Sequence, residues 1–330
     1  TLLKLLLQKP LGFLKEDPEI GSIEKKIALH KRAIDLAVQG NFKHALRLLL
    51  LEQQFEKGNS ITSAVQTIDV ELLYVLLGVH QKNLDARSLR AITFLQESEA
   101  GSLKGIAGLL KCAQHLFEKS ASVGNLYETE QLISQSEQQG NRLIQVPALL
   151  IASLLSLRSR AYPKAQLQAR RATILSREWN SLYISQVGKI IEDIAGFFLG
   201  IKPTEESLEA VTHPSLKAVC RVVYRALFVS VKGHAPTWLD TVEYGVPENT
   251  MWLIRALLSD ESALQESLTQ ELPEDWLRYL QSNEGKDKVI QADVSKIRKE
   301  LAGFEDGTLK TLDTIPVSYT HLRAHETGRN

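Results

Sequence analysis

Lys217, Arg221 and Arg225 stand four residues apart, so on a helix their cationic groups share one face. Like charges at this spacing repel by roughly 0.2–0.5 kcal/mol per pair unless an anion or a neighbouring acid compensates. Such a stripe suits carboxylates or phosphates, which accept charge-assisted hydrogen bonds from it. It is read here as a candidate receptor for a protein segment carrying acids or for a small anionic effector. Residues 210–239 contain no Asp or Glu, and neither do residues 138–177, which carry Arg142, Arg158, Arg160, Lys164, Arg170, Arg171 and Arg177. Arg158, Arg160 and Arg171 join the candidate anion-binding set. Residues 240–275 instead hold nine acids and a single base, Arg255. Two other readings therefore stand beside the binding one: the acidic stretch packs on the stripe and neutralises it, or the stripe is a solvated face.

A second pattern is Cys112 followed three residues later by His115, which puts a thiol and a base on one side of a helix. A thiolate needs such a base, but also a group that orients the base, and the spacing nominates none. The alternative is a small core thiol beside a partly exposed imidazole. Cys112 and Cys220 have no CxxC partner, which fits buried free thiols in a reducing compartment and a cytoplasmic location. There is no GxxxxGK[ST] phosphate loop, GxGxxG turn, HExxH pair or GxSxG elbow. The carboxylate neighbours Glu192/Asp193 and Glu205/Glu206 diverge by about 100° on a helix and share no site. Trp179, Trp238, Trp252 and Trp276 are read as packing between helices rather than stacking on a ligand. No catalytic residue, cofactor or metal is expected. With 39 basic and 39 acidic residues and no groove-reading motif, direct nucleic-acid binding is not expected. No apolar run approaches the roughly 20 residues of a membrane span.

The elements that must position these residues are helices. Apolar residues make up 44% of the chain, aromatics only 6% and charged residues 24%, and Leu and Ala, which dominate the apolar set, are strong helix formers. From Ser22 onward apolar residues recur at three- and four-residue steps. Four corners interrupt them: Gly40-Asn41-Phe42, Lys82-Asn83-Leu84, Gly124-Asn125-Leu126 and Arg160-Ala161-Tyr162, whose first residues lie 42, 42 and 36 positions apart. Such a recurrence predicts stacked helix pairs. Aligned on the corners, three sets of positions are apolar throughout: Ala37, Val79, Ala121 and Leu157 before them; Phe42, Leu84, Leu126 and Tyr162 just after; and Leu49, Ala91, Ile133 and Ala169 further on. These twelve are the expected packing positions of the repeat. The spacing predicts paired helices over 63–80 and 84–97, 102–119 and 126–138, and 143–159 and 163–177. Later helices are predicted from 181 to 199 and over 214–232, 247–258, 261–270, 273–282 and 286–303.

Gly40-Asn41-Phe42-Lys43-His44-Ala45 resembles the middle of a tetratricopeptide repeat, and Arg160-Ala161-Tyr162-Pro163-Lys164-Ala165 keeps its aromatic and its alanine. The longer repeat looks like the sensor region of LuxR-type bacterial transcription regulators related to the maltose regulator. The resemblance implies an all-α fold, a right-handed α-α superhelix of antiparallel helix pairs forming a tetratricopeptide-like solenoid. It also implies a non-catalytic region that binds a protein or effector. A free-standing scaffold or chaperone adaptor is the alternative function, and an all-α toroid enzyme the more distant one.

The division expected along the chain is a remnant of a preceding segment over 1–21, the helical array over 22–245, irregular terminal repeats over 246–304 and a linker over 305–316. The chain opens on Thr1 and its single methionine is Met251, which reads as an internal piece of a longer product. Val317 to Thr327 looks like the in-frame translation of a transposon-end adapter used in sequencing libraries. Residues 317–330 are therefore set aside as a non-native tail, together with the His321/His325 pair that would otherwise suggest a metal site.

Overall fold

The structure is a computed structural model, and it describes residues 30–53, 60–77, 84–117, 123–178, 180–239, 245–259 and 263–281. The described residues are helical with no strand. The helices are α1 (30–38), α2 (Phe42–Gln53), α3 (Ile61–Leu76), α4 (Ala86–Glu97), α5 (Gly101–His115), α6 (Val123–Gln138) and α7 (Arg142–Arg158). They continue with α8 (Tyr162–Arg177), α9 (Leu182–Phe198), α10 (Glu205–Glu209), α11 (Pro214–Lys232), α12 (Met251–Leu258), α13 (Ala263–Glu271) and α14 (Glu274–Gln281). Helix 286–303 and the linker lie outside the described residues, as does everything after Gln281.

Several helices share one way of ending. At Gly40, Gly140, Arg160, Asn180 and Gly200 the backbone takes a positive φ, between 55° and 90°. Each of these residues donates its N–H three residues back, and the next residue donates five residues back, as in Asn41 N–H to the Leu36 carbonyl and Ala161 N–H to the Ser156 carbonyl. This is the Schellman closure, which satisfies carbonyls that the helix end would leave orphaned. Asn41, Asn141, Ala161 and Ser181 then each begin the following helix directly. The connections at Gly40, Gly140 and Arg160 are thus three residues long and the one at Asn180 four, and the neighbouring helices pack in pairs.

Other starts are capped by side chains. Ser60 Oγ accepts from Ser63 N–H at 3.1 Å and Asp85 Oδ1 from Ser88 N–H at 2.7 Å. Thr204 and Ser207 form a reciprocal capping box on α10. Pro214 opens α11 and Gly233, with a φ of 73°, closes it.

The corner expected at Gly124-Asn125-Leu126 is not one. All three residues belong to the first turn of α6, and Thr129 already donates its hydroxyl to the Asn125 carbonyl at 2.8 Å. The left-handed corner comes after α6, at Gly140. Lys82 and Asn83 of the second expected corner lie outside the described residues.

Two levels of packing organise the helices. Each helix from α2 to α9 packs on its neighbour in sequence, and the odd members also pack on each other: α3 on α5, α5 on α7, α7 on α9 and α9 on α11. One core runs from Ala33 to Trp276 and includes Met251, Trp252, Leu253 and Ile254 of α12. The terminal helices thus share the core of the array. Of the twelve expected packing positions, Phe42, Leu49, Ala91, Ile133, Leu157 and Ala169 are buried, and Ala37, Leu84, Leu126 and Tyr162 are half-buried against the core. Val79 and Ala121 lie outside the described residues. Phe42 meets Tyr183 edge-on at 5.8 Å, and Tyr162 stacks on Phe198 at 4.6 Å.

Candidate functional site

The odd helices turn one face inward around a cavity of about 230 Å³. Asp69, Leu72, Leu73 and Leu76 supply one wall from α3, at steps of three and four residues. Leu109, Ala113 and Leu116 reach it from α5, Pro147, Leu150 and Ile151 from α7, and Tyr183, Ile184 and Val187 from α9. Ala33, Ile34 and Ala37 of α1, with Phe42 and Leu49 of α2, close the side belonging to the first helix pair. Trp252 reaches in from α12. The chamber therefore lies where the beginning of the array meets its later helices. Among the described residues around it, Asp69 is the one charged side chain.

Tyr183 is the centre of that meeting. Its hydroxyl donates to the Asn249 carbonyl and accepts from Trp252 Nε1–H, both at 3.0 Å. Its ring lies edge-on to Phe42 on one side and to His213 at 5.2 Å on the other. Burial pushes the phenol above its ordinary range, so it stays a neutral donor. Ser181 Oγ donates to the Val38 carbonyl at 3.4 Å, and Lys43 Nζ stands 3.7 Å from Glu248 Oε2. Residues from α1, α2, α9 and the turn before α12 thus hold the two parts of the array together.

Behind the α3 wall lies a buried ionic triad. His30 Nδ1 is 2.9 Å from Glu52 Oε2, and His30 Nε2 is 3.2 Å from Asp69 Oδ2. The side chains of His30 and Glu52 are 2% and 1% exposed, and that of Asp69 is 13% exposed. Burial alone would lower the imidazole's affinity for a proton, but the flanking Asp69 and Glu52 carboxylates outweigh it and raise its pKa to about 10. Asp69 Oδ2 is itself fully buried, and Asp69 also lines the chamber.

Four of the basic residues expected to bind an anion, Lys217, Arg225, Arg158 and Arg171, meet partners within the chain. Lys217 Nζ stands 2.7 Å from Glu209 Oε2, and Arg225 Nε meets Glu271 Oε2. Lys217, Arg221 and Arg225 do share a face of α11, but all three are half-buried. That face packs against α10 and α13. Helix α13 belongs to the acidic stretch, so the compensation the spacing demands comes from inside the molecule. Arg158 donates to the carbonyls of His115 and Leu116 at the end of α5 and of Ala256 in α12. It serves there as a cap for exposed helix-end carbonyls. Arg171 pairs with Glu137 of α6 at 2.8 Å. Arg160 is exposed and occupies a left-handed corner. Lys217, Arg225, Arg158 and Arg171 do not converge on one patch, because they meet α10, α13, α5 with α12, and α6 respectively.

Cys112 and Cys220 are buried free thiols. Burial pushes the Cys112 thiol up, against a smaller lowering by its contact with Thr129, so it does not favour the thiolate. His115 Nε2 lies 3.4 Å from Glu128 Oε2. Trp276 is fully buried, Trp238 packs edge-on to Phe228 at 6.1 Å, and Trp179 lies outside the described residues. Asp193 of the Glu192/Asp193 pair is held by Lys189 at 2.7 Å and by the Tyr224 hydroxyl at 2.5 Å. Among the described residues no group of three or more His, Cys, Asp or Glu is placed to hold a metal ion, and no helix is long and apolar enough to cross a membrane.

The sequence reading did not single out His30, Asp69 or Tyr183. One signal was present: His30 and Asp69 each sit on the apolar face of their helix, in step with Ala33 and with Leu72 and Leu73. In comparisons with protein-family models, curated proteins and solved structures, no match to this chain is found.

Proposed function

We propose that this chain is a non-catalytic recognition region, the effector-sensing part of a bacterial transcription regulator of the LuxR type, and that the apolar chamber is where its effector sits. In this reading the helix pairs wind as a right-handed α-α superhelix. The observation that carries the proposal is the position of the chamber. A molecule inside it touches α1 and α2 on one side and Tyr183 and Trp252 on the other, so its binding free energy bears directly on how the two parts of the array meet. The apolar wall supports binding rather than turnover, since acid–base chemistry needs titratable groups within hydrogen-bond reach of the reacting atoms.

The test is a screen of small apolar molecules by thermal unfolding, run beside a Leu150→Trp variant in which the chamber is filled. Compounds that raise the melting temperature of the parent chain and not of the variant support the reading. A screen in which parent and variant respond alike removes it. The regulator assignment is tested separately by the uninterrupted gene, which must encode an upstream phosphate loop and a downstream helix-turn-helix.

A second reading, a protein-binding scaffold, is favoured by the outer face of α8. There Leu167 is 61% exposed and Ile174 52% exposed, interleaved with the exposed Arg170 and Arg177. An acidic, apolar protein segment suits that face. Leu167→Asp with Ile174→Asp should abolish capture of such a segment while leaving chamber ligands unaffected.

A further inference from the structure

We propose that the chamber selects an apolar molecule ending in a protonated amine, seated with its ammonium group against Asp69. The inference rests on the reading of the chamber as an effector site and adds the chemistry of the effector.

Size comes first. An engineered apolar cavity of about 150 Å³ accepts benzene. By proportion, the chamber's 230 Å³ takes an apolar body of about nine heavy atoms. The lining then decides polarity. Among the described residues of the wall the polar side chains are Asp69, Tyr183 and Trp252. The Tyr183 hydroxyl and the Trp252 N–H are already committed to each other, and the hydroxyl also to Asn249. Asp69 is the polar contact left to the chamber.

Charge gives the sign. His30 lies between two carboxylates, those of Glu52 and Asp69, so an imidazolium here leaves the triad with one negative charge in excess. His30 and Glu52 are almost wholly buried and cannot turn to water. An uncompensated charge in an apolar interior is costly, and Asp69 is where the triad meets the chamber. An ammonium group supplies the missing positive charge, a hydroxyl supplies only a hydrogen bond, and a carboxylate adds a second negative charge. His30 Nε2, 3.2 Å from Asp69 Oδ2, holds that carboxylate in position at the chamber wall.

The experiment is isothermal titration of the whole chain with n-octylammonium, 1-octanol and octanoate. The expected order is n-octylammonium tightest, by about tenfold over 1-octanol, with octanoate weakest. Asp69→Asn should weaken n-octylammonium by about tenfold and leave 1-octanol unchanged. Leu150→Trp keeps Asp69 and fills the chamber, and it should abolish binding of all three. Because the comparison among ligands is made on the parent chain, it stands even where Asp69→Asn does not fold. Equal binding of 1-octanol, or tighter binding of octanoate, overturns the selection for a cation while the chamber remains an effector site. No binding by any of the three overturns both readings. Binding of n-octylammonium that survives Leu150→Trp marks adsorption to the surface and overturns the proposal.

Discussion

The ring of Tyr183 lies so close to Gly40 that a Cβ added at residue 40 would stand 2.5 Å from the ring's Cε2 atom. Gly40 also holds a φ of 79°. The first corner of the array is therefore constrained twice, by its own backbone and by a side chain 143 residues away in sequence. At Gly140 the backbone is similarly left-handed, with a φ of 63°, but a Cβ there would meet nothing within 4 Å. Gly40→Ala should lower unfolding stability by about 2–4 kcal/mol, the sum of the left-handed backbone cost and overpacking. Gly140→Ala should cost about 1 kcal/mol. Urea unfolding of the two variants checks this, and equal losses would sink the close-contact argument.

Arg160 occupies the left-handed position that glycine holds at three of the other corners, with a φ of 57°. Its side chain is exposed, so little packing offsets the strain. Arg160→Gly should stabilise the chain by about 0.5–1 kcal/mol, because glycine loses more freedom on folding but carries no left-handed penalty. A rise in the urea midpoint is the expected reading. A fall would mean that the guanidinium makes an interaction worth more than the backbone strain.

The His30 triad makes stability depend on pH in one direction. The imidazole rises from its ordinary 6.5 to about 10 on folding, so the folded chain binds a proton that the unfolded chain releases earlier. That contribution is present in full below pH 6.5 and is lost as pH climbs from 6.5 through about 10. Urea midpoints measured across this window should fall with rising pH, and His30→Gln should remove that part of the slope. The variant should also be less stable at neutral pH, by about 3–5 kcal/mol, since it leaves the Glu52 and Asp69 carboxylates without the partner between them. An unchanged slope in His30→Gln would show that other groups set it.

Arg225 and Glu271 tie α11 to α13 through a half-buried contact, with side chains 28% and 17% exposed. In a double-mutant cycle of Arg225→Met and Glu271→Gln, the coupling should be about 1–2 kcal/mol, above the range of fully exposed pairs. Raising the salt concentration should reduce it only slightly, because the pair is partly shielded from solvent. A coupling near zero would show that the Glu271 contact does not tie α11 to α13.

The helices themselves were legible because periodicity and end signals agree. The reading of 163–177 differs from Tyr162–Arg177 by one residue, and 214–232 coincides with α11, where Pro214 and Gly233 mark both ends. Gly124-Asn125 misled because glycine followed by asparagine suits a helix start as well as a corner. The basic stripe was recognised on the right face, and the possibility that the acidic stretch covers it was open. Only tertiary packing could decide between an internal acid and an external anion. The chamber was not legible at all. Phe42, Tyr183 and Trp252 come from elements far apart in sequence, and periodicity says that a face is buried without saying which faces meet.

From Gly140 to Gly200 the left-handed corners fall at every twentieth residue, at 140, 160, 180 and 200. The residue that follows each of the first three corners already begins the next helix. The described connections in this stretch leave little room to absorb a change of length. One residue added inside α8 would turn everything beyond it by about 100°, swinging Tyr183 away from Phe42 and opening the chamber at its far side. Natural variants of this protein should therefore vary at the exposed positions between 141 and 199 while keeping the length of that stretch constant. Insertions should collect instead in the longer link from Ile201 to Thr204, where the chain is free to pay out or take in a residue without moving the helices before it.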